Sequence, residues 1–566
     1  MTEDHPRDAG AIAWHAAGGW SRRQFIRKLG LVAAASAGTS LLAACGPAAP
    51  AAVTQPSATT APAVATGAQP QATTPPAAAP AAATPKLGGE LKAAMQVDAT
   101  SLDPHTSSSY SSSLVIEQVY SGLIQYDENM NIQPDLAQSW TVSPDGLTYD
   151  FKLRQGVKFH NGRAMTSDDV VYSLNRVKDP NGGSPRSYLL EDVKSIDAPD
   201  PSSVRITMNK PFAALLSHLD TSLAVVPKEV VQQNGDLSKV MVGTGPFKFV
   251  EFVPNTHAKL AKYESYHEQG LPYLDAITWM PIPDDSTRTA NIQTSTVDFA
   301  DQIAQKDITS LQSQSGVQLA HGPSTLHDYL MLNTTRKPFS DVRVRQAIAY
   351  TLDRKLMTDT ILFGFGTPMD GGIIPSWHWA YANVHPYAKP DIAKAKQLLS
   401  DAGYAEGFKI TVGAGSNYQA QVQEAEMLKD QLKQIGIDVT PNPTEWGTYI
   451  DTVVTKKDFD AAIIGWIGAV DPDDWMYSRF HTGEKWNTSG YSNAQADQSL
   501  EQGRTITDQA KRKTLYNQAD QTIVSEAPFV FFFLYDQYEA LRDYVKGYAH
   551  MANNSKNTFK KVWLDK

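Results

Sequence analysis

Apolar and polar positions alternate in Thr148-Tyr149-Asp150-Phe151-Lys152-Leu153, the pattern of a strand with one face in a core. Asn161-Gly162, after Phe159-His160, supplies a tight turn. Thr166-Ser167-Asp168-Asp169 then reads as a capping box, and Val170, Leu174 and Val177 follow at helical spacing. A short strand within Gly88–Ala94 opens this folded body. The second half alternates strand and helix more regularly. Pro390 marks a helix start, Ala395, Leu398, Leu399 and Ala402 repeat helically, and Gly403 provides the stop. Phe408–Val412 predicts a strand, Gln419–Ile435 an amphipathic helix and Ile437–Thr440 the next strand. This βαβ unit, with the strand-rich first half, predicts two α/β lobes and an extra strand-rich piece.

No such periodicity exists before residue 86. Gly46 to Pro85 is almost wholly Ala, Pro, Thr and Gln, without charge, so it buries no core and reads as a disordered tether. Ahead of it, Arg22-Arg23 precede an apolar run from Leu29 to Ala44, the layout of an export signal. The run is shorter than the ~20 strongly apolar residues of a stable span. The paired arginines resemble the twin-arginine (Tat) motif, a receptor-read export address. Leu42-Ala43-Ala44-Cys45 resembles a lipobox, which gives the chain's one cysteine a role as the lipidated residue. Residues 1–44 are therefore expected to be a signal peptide, and 45–85 the lipidated cysteine and its linker.

Composition narrows the function classes. The 566 residues carry a formal net charge of −10 and offer no basic surplus for nucleic acid. A single cysteine excludes an internal disulfide or a cysteine-based zinc site. Histidines at 105, 160, 267, 321, 327 and 481 form no short-spaced metal pair, and His160 reads as a turn residue. Gly413-Ala414-Gly415 with Asp438 downstream lacks the third glycine of a dinucleotide fingerprint, and Tyr418 stands where that contact needs the smallest side chain. The acid pairs Asp284-Asp285 and Asp473-Asp474 read as solvated or capping residues rather than a hydrolytic dyad. No cofactor, metal or catalytic group is expected, and the chain is not read as an enzyme. Trp377, Trp379, Trp446, Trp466, Trp475 and Trp486 crowd into the second half, where rigid rings suit the lining of a cleft.

From about Gly89 to near the C-terminus the chain resembles the bacterial extracellular solute-binding proteins of family 5, the oligopeptide- and dipeptide-binding subunits of ABC importers. The resemblance rests on ordered segments. They include Ser101-Leu102-Asp103-Pro104-His105, Gly122-Leu123, Pro134–Trp140, Leu153–Gly162, Gly243-Thr244-Gly245-Pro246-Phe247, Phe339–Ala347, Gly465-Trp466 and Gly490-Tyr491-Ser492-Asn493. It implies an α/β, periplasmic-binding-protein-like hinge fold with mixed sheets, two lobes and three subdomains. Lobe I is then 86–329 plus 530–566, with an extra subdomain at about 128–240, and lobe II is 330–529. The crossings fall at Leu330–Asn333 and Phe529–Leu534.

The resemblance implies that Trp446 and Trp466 face a ligand, with Tyr329, Tyr110 and Trp377 as further lining. Asp341, Arg343 and Arg345 are as well suited to holding the fold. Peptide-binding members place an aspartate three residues after the tryptophan, to pair with the peptide ammonium. Here that position is Ala469, so either Asp471 takes the role or the solute has no ammonium. The expected ligand is an oligopeptide, with an oligosaccharide as the alternative. The expected partners are permease subunits with separate ATPases, and the expected state is a monomer held to the outer face of the membrane by lipid alone. A secreted hydrolase and a surface sensor of the same fold are the rivals.

Overall fold

The computed structural model describes residues 84–566 except Asn417, Gly468 and Ala469, so the signal, Cys45, the linker and the Ala469 position lie outside the described residues. Strand β1 (Glu90–Met95) starts the folded part, followed by helix α1 (Tyr110–Val119). Four antiparallel strands make a small sheet: β2 (Ala137–Val142), β3 (Thr148–Leu153), β4 (Val193–Asp200) and β5 (Ser203–Met208), in the order β2-β3-β5-β4. Tyr149, Phe151 and Leu153 of β3 are buried, as the alternation requires. Helix α2 (Ser167–Lys178) covers this sheet. Its capping box is formed, with the Asp169 carboxylate accepting from the Thr166 N–H at 2.9 Å.

A mixed sheet of eleven strands runs through the rest of the molecule. Its strands are β1, β6 (Phe247–Val253), β7 (His257–Lys262), β8 (Ala276–Pro281), β9 (Phe299–Ala300), β10 (Val317–Leu332), β11 (Phe408–Gly415), β12 (Ile437–Thr444), β13 (Ala461–Ile467) and β14 (Phe529–Arg542). Their order is β12-β11-β13-β10-β14-β9-β1-β8-β7-β6, and Gly366–Pro368 pairs with β14. Helix α3 (Val342–Thr351) starts at Asp341 and α4 (Ile392–Asp401) at Asp391, each capped by an aspartate. Gly403 follows α4 at φ +86, a left-handed stop that suits glycine. Helix α5 (Gln419–Leu432) links β11 to the parallel β12, which is the βαβ unit read from periodicity.

The cores divide along the sheet. One holds Leu91, Phe247, Trp279 and Phe299 together with Phe559, Val562 and Leu564 of the C-terminal tail, and the Trp279 and Phe559 rings stack at 5.5 Å. The small sheet has its own core. A third runs from Tyr329 to Leu534. Phe529–Leu534, read as the return crossing, packs wholly inside this third core, and the next buried residues of β14, Tyr538 and Ala540, belong to a cluster with Phe299's neighbour Ala300. Strands β10 and β14 therefore each pass from one core to another. Their pairing is irregular where they do so, between Pro323 and His327 and again between Asp328 and Tyr329.

Candidate functional site

Strand β13 ends in Gly465-Trp466, opposite Asp328 and His327 of β10. Gly465 is required there, because a Cβ would lie 2.4 Å from the Asp328 carboxylate. Half-buried Trp466 meets the exposed Trp486 edge-on at 5.9 Å, and the Arg479 guanidinium lies 5.2 Å from its ring. Trp446 begins a separate aromatic group with Tyr418 at 4.7 Å and Tyr449 at 5.7 Å. Gly415 leaves room for it, since a Cβ there would sit 2.8 Å from the indole. Trp377 packs against both the small-sheet core and the third core.

Tyr329 and Tyr110 both make internal contacts. Tyr329 is buried, stacked on Phe529 at 4.5 Å with Arg479 5.8 Å from its ring. Tyr110 is the first residue of α1 rather than part of a loop, and its hydroxyl donates to Asp301 at 3.3 Å. It joins a buried charge network in which Lys556 lies 3.0 Å from both Asp301 and Glu539. That network ties the C-terminal tail to the first core.

The acids after Trp466 behave differently from their sequence reading. Asp471 caps helix α6 (Pro472–Phe480), accepting from the Asp473 N–H at 2.9 Å. Both its oxygens also accept from Arg512, at 2.6 and 2.8 Å, and it is 4% exposed. Arg512 holds its carboxyl below the usual range even against burial. A carboxylate so fully matched is a structural cap, not a free partner for a solute ammonium. Asp473 and Asp474, read as solvated or capping, are both drawn inward. Asp473 accepts from Arg504 at 3.0 Å and from the Tyr516 hydroxyl at 3.1 Å. Among the described residues, Asp474 has no arginine or lysine partner. Its Oδ2 faces His218 Nε2 at 3.5 Å, and neither atom has a donor or acceptor among the described residues. Burial beside Asp471 and Asp473 pushes Asp474 well up, while burial lowers His218. The signal that sequence reasoning missed is the third acid of Asp471-Pro472-Asp473-Asp474, which two downstream arginines leave over.

The remaining candidates serve the fold. Arg343 makes a bidentate pair with Asp341, and Arg345 donates to the carbonyls of Glu526 and Phe339. His160 Nε2 lies 3.0 Å from the Gly245 carbonyl beside its turn. Asp284 caps a helix through the Thr287 N–H. Gly413 and Gly415 lie within β11, and Asp438 is an exposed residue of β12 near Lys409. Asp135, His267 and Glu268 have metal-ligand spacing, but the protein already matches them: His267 lies 2.8 Å from Asp135 and the Lys560 ammonium 2.6 Å from Glu268.

No helix among the described residues is long and apolar enough to cross a membrane. The family model for bacterial extracellular solute-binding proteins, family 5 (middle), matches residues 131–488. The chain is 33% identical over 443 residues to the glutathione-binding protein GsiB of Pectobacterium atrosepticum, covering 76% of this chain and 86% of that one. It is similar to the periplasmic binding protein DppA of Helicobacter pylori in complex with the peptide STSA. That similarity has 30% identity and a TM-score of 0.70, over 85% of this chain and 99% of that one. It is also similar to the binding protein AgaA of A. tumefaciens R10 in complex with agropinic acid, with 29% identity and a TM-score of 0.71, over 84% and 99%. With the two-lobed hinge fold and these relatives together, the chain belongs to the bacterial extracellular solute-binding proteins of family 5.

Proposed function

We propose that this chain is the lipid-anchored solute-binding subunit of an ABC importer, and that it captures a small peptide-like solute between lobe I (86–329 plus 530–566) and lobe II (330–529). It hands the solute to permease subunits driven by separate ATPases. The observation that carries this reading is the pair of long strands β10 and β14, which run from one core into another and break register where they pass. Two such strands let the lobes turn without unfolding either core, and a solute touching both lobes biases the equilibrium toward closure. This reading puts Trp446, Trp466 and Trp377 at the cleft. The relatives named for glutathione and solved with STSA favour a peptide-like ligand. A non-peptide solute is the second reading. It is favoured by Asp471, whose charge Arg512 already matches, and by the relative solved with agropinic acid.

Native mass spectrometry of the body from Lys86, purified without refolding, tests the choice. Adducts that fragment as peptides support the peptide reading. A carbohydrate adduct, or thermal stabilisation by oligosaccharides and none by peptides, overturns it.

A further inference from the structure

Arg479 sits in the last turn of α6, 1% exposed, and among the described residues no carboxylate lies within ion-pair reach. Its Nε donates to the Trp475 carbonyl at 2.9 Å, its Nη2 to the same carbonyl, and its Nη1 to His327 Nε2 at 3.1 Å. His327 Nδ1 lies 3.2 Å from the Thr325 carbonyl, which makes Nδ1 the donor and Nε2 the acceptor of a neutral ring. Burial and the Arg479 charge keep that imidazole well below its usual value.

Other buried arginines are better matched. Arg512 and Arg288 pair with carboxylates. Arg354 also lacks an acid, but it donates to four backbone carbonyls, of Phe531, Ala349, Leu352 and Tyr387. Arg479 has one carbonyl, one imidazole and the Tyr329 hydroxyl as polar partners, none of them charged, and otherwise ring faces. A buried cation left in that state is costly for stability. It also lies in contact with Trp466, whose ring meets the exposed Trp486.

We infer that Arg479 makes the cleft selective for a solute bearing an anionic group, which docks at the Trp466–Trp486 pair. The inference rests on the cleft reading above and adds the charge of the solute to it. An anion at Trp466 meets the field of an unmatched cation across a weakly screening layer, whereas its neutral counterpart gains nothing. Arg479 is in this sense a positioning residue, acting through Trp466 rather than by open contact.

The test offers the Lys86–Lys566 body an equimolar mixture of tripeptides as free acids and C-terminal amides, with neutral oligosaccharides and their uronic-acid counterparts, and reads capture by native mass spectrometry. Enrichment of the acid forms of either class by about tenfold or more is expected. Capture of peptides without acid preference overturns the inference and leaves the peptide reading standing. Capture of uronic acids alone supports it and sinks the peptide reading. Failure to capture any anionic member overturns it. Arg479→Met, which keeps the apolar stem, abolishes the preference while Arg479→Lys retains part of it. A preference unchanged in Arg479→Met overturns the inference, and the wild-type measurement decides the matter even if neither variant folds.

Discussion

Asp520 is 1% exposed, accepts from the Ile373 N–H at 3.0 Å through one oxygen, and has no donor for the other among the described residues. Burial pushes its carboxyl up to about 7. An unfolded aspartate titrates near 4, so between about pH 4 and pH 7 the folded chain keeps a proton that the unfolded chain has released. Stability from this group is present at low pH and is lost as pH rises through that window. Asp520→Asn is expected to raise the stability of the body at pH 7.5 by on the order of 2 kcal/mol, with little gain at pH 4.5. Urea unfolding at the two pH values checks this, and an equal effect at both contradicts the assignment. Glu539 behaves oppositely: Lys556 and His550 hold it at about 2 despite burial, so its contribution disappears only as pH falls from about 4.5 toward 2. None of these roles was legible in the sequence. The partner of Asp471 lies at Arg512 and that of Asp473 at Arg504, and no local pattern announces which acid is matched and which, like Asp474, is left over. The Gly465-Trp466 motif was legible through the family resemblance, and in the structure its glycine sits where a Cβ would approach the Asp328 carboxylate.

At the scale of elements, legibility follows burial. Strand β3 and helix α2 have one wet face, so their periods are visible, and their edges fall where alternation and the capping box put them. Strand β10 was read only in part, because its first half is partly exposed and its last six residues are all buried, so no single period spans Val317–Leu332. The Phe529–Leu534 run is apolar at every position because both faces of β14 are covered there. The segment Gly243-Thr244-Gly245 shows a different constraint. It packs onto the end of α1, with the Gly245 N–H donating to the Val119 carbonyl at 2.9 Å. A Cβ on Gly243 would lie 2.0 Å from that carbonyl oxygen, and one on Gly245 2.6 Å from its carbon. The obstacle is backbone and cannot swing away. Gly245→Ala is expected to cost roughly 1–3 kcal/mol, read as a lowered Tm and urea midpoint, because α1 and the loop must separate. Ordinary stability in that variant contradicts the close approach.

For the whole molecule, the family resemblance carried the architecture, and the division into cores came only with the packing. The C-terminal tail returns to the first core through Phe559, Val562 and Leu564, a pairing across most of the chain that no local pattern announces and that the sequence offered only through the resemblance. The same scale sets the anchoring proposal. The described body offers no helix suited to crossing a membrane, and the sequence feature proposed to hold it there is Cys45, outside the described residues. A single acyl chain binds membranes marginally, whereas the two or three chains carried by a processed lipobox cysteine hold stably. The proposed anchor therefore depends on one sulfur. Cys45→Ser, expressed in a bacterium that processes lipoproteins, is expected to move the protein from the membrane fraction to the soluble extracytoplasmic fraction. Its affinity for solute should stay unchanged, since the linker from Gly46 to Pro85 separates the cysteine from the cleft. Retention of the variant in the membrane fraction after a high-salt wash contradicts lipid anchoring and calls for a protein partner at the membrane. Release together with lost solute binding contradicts the independence of body and tether.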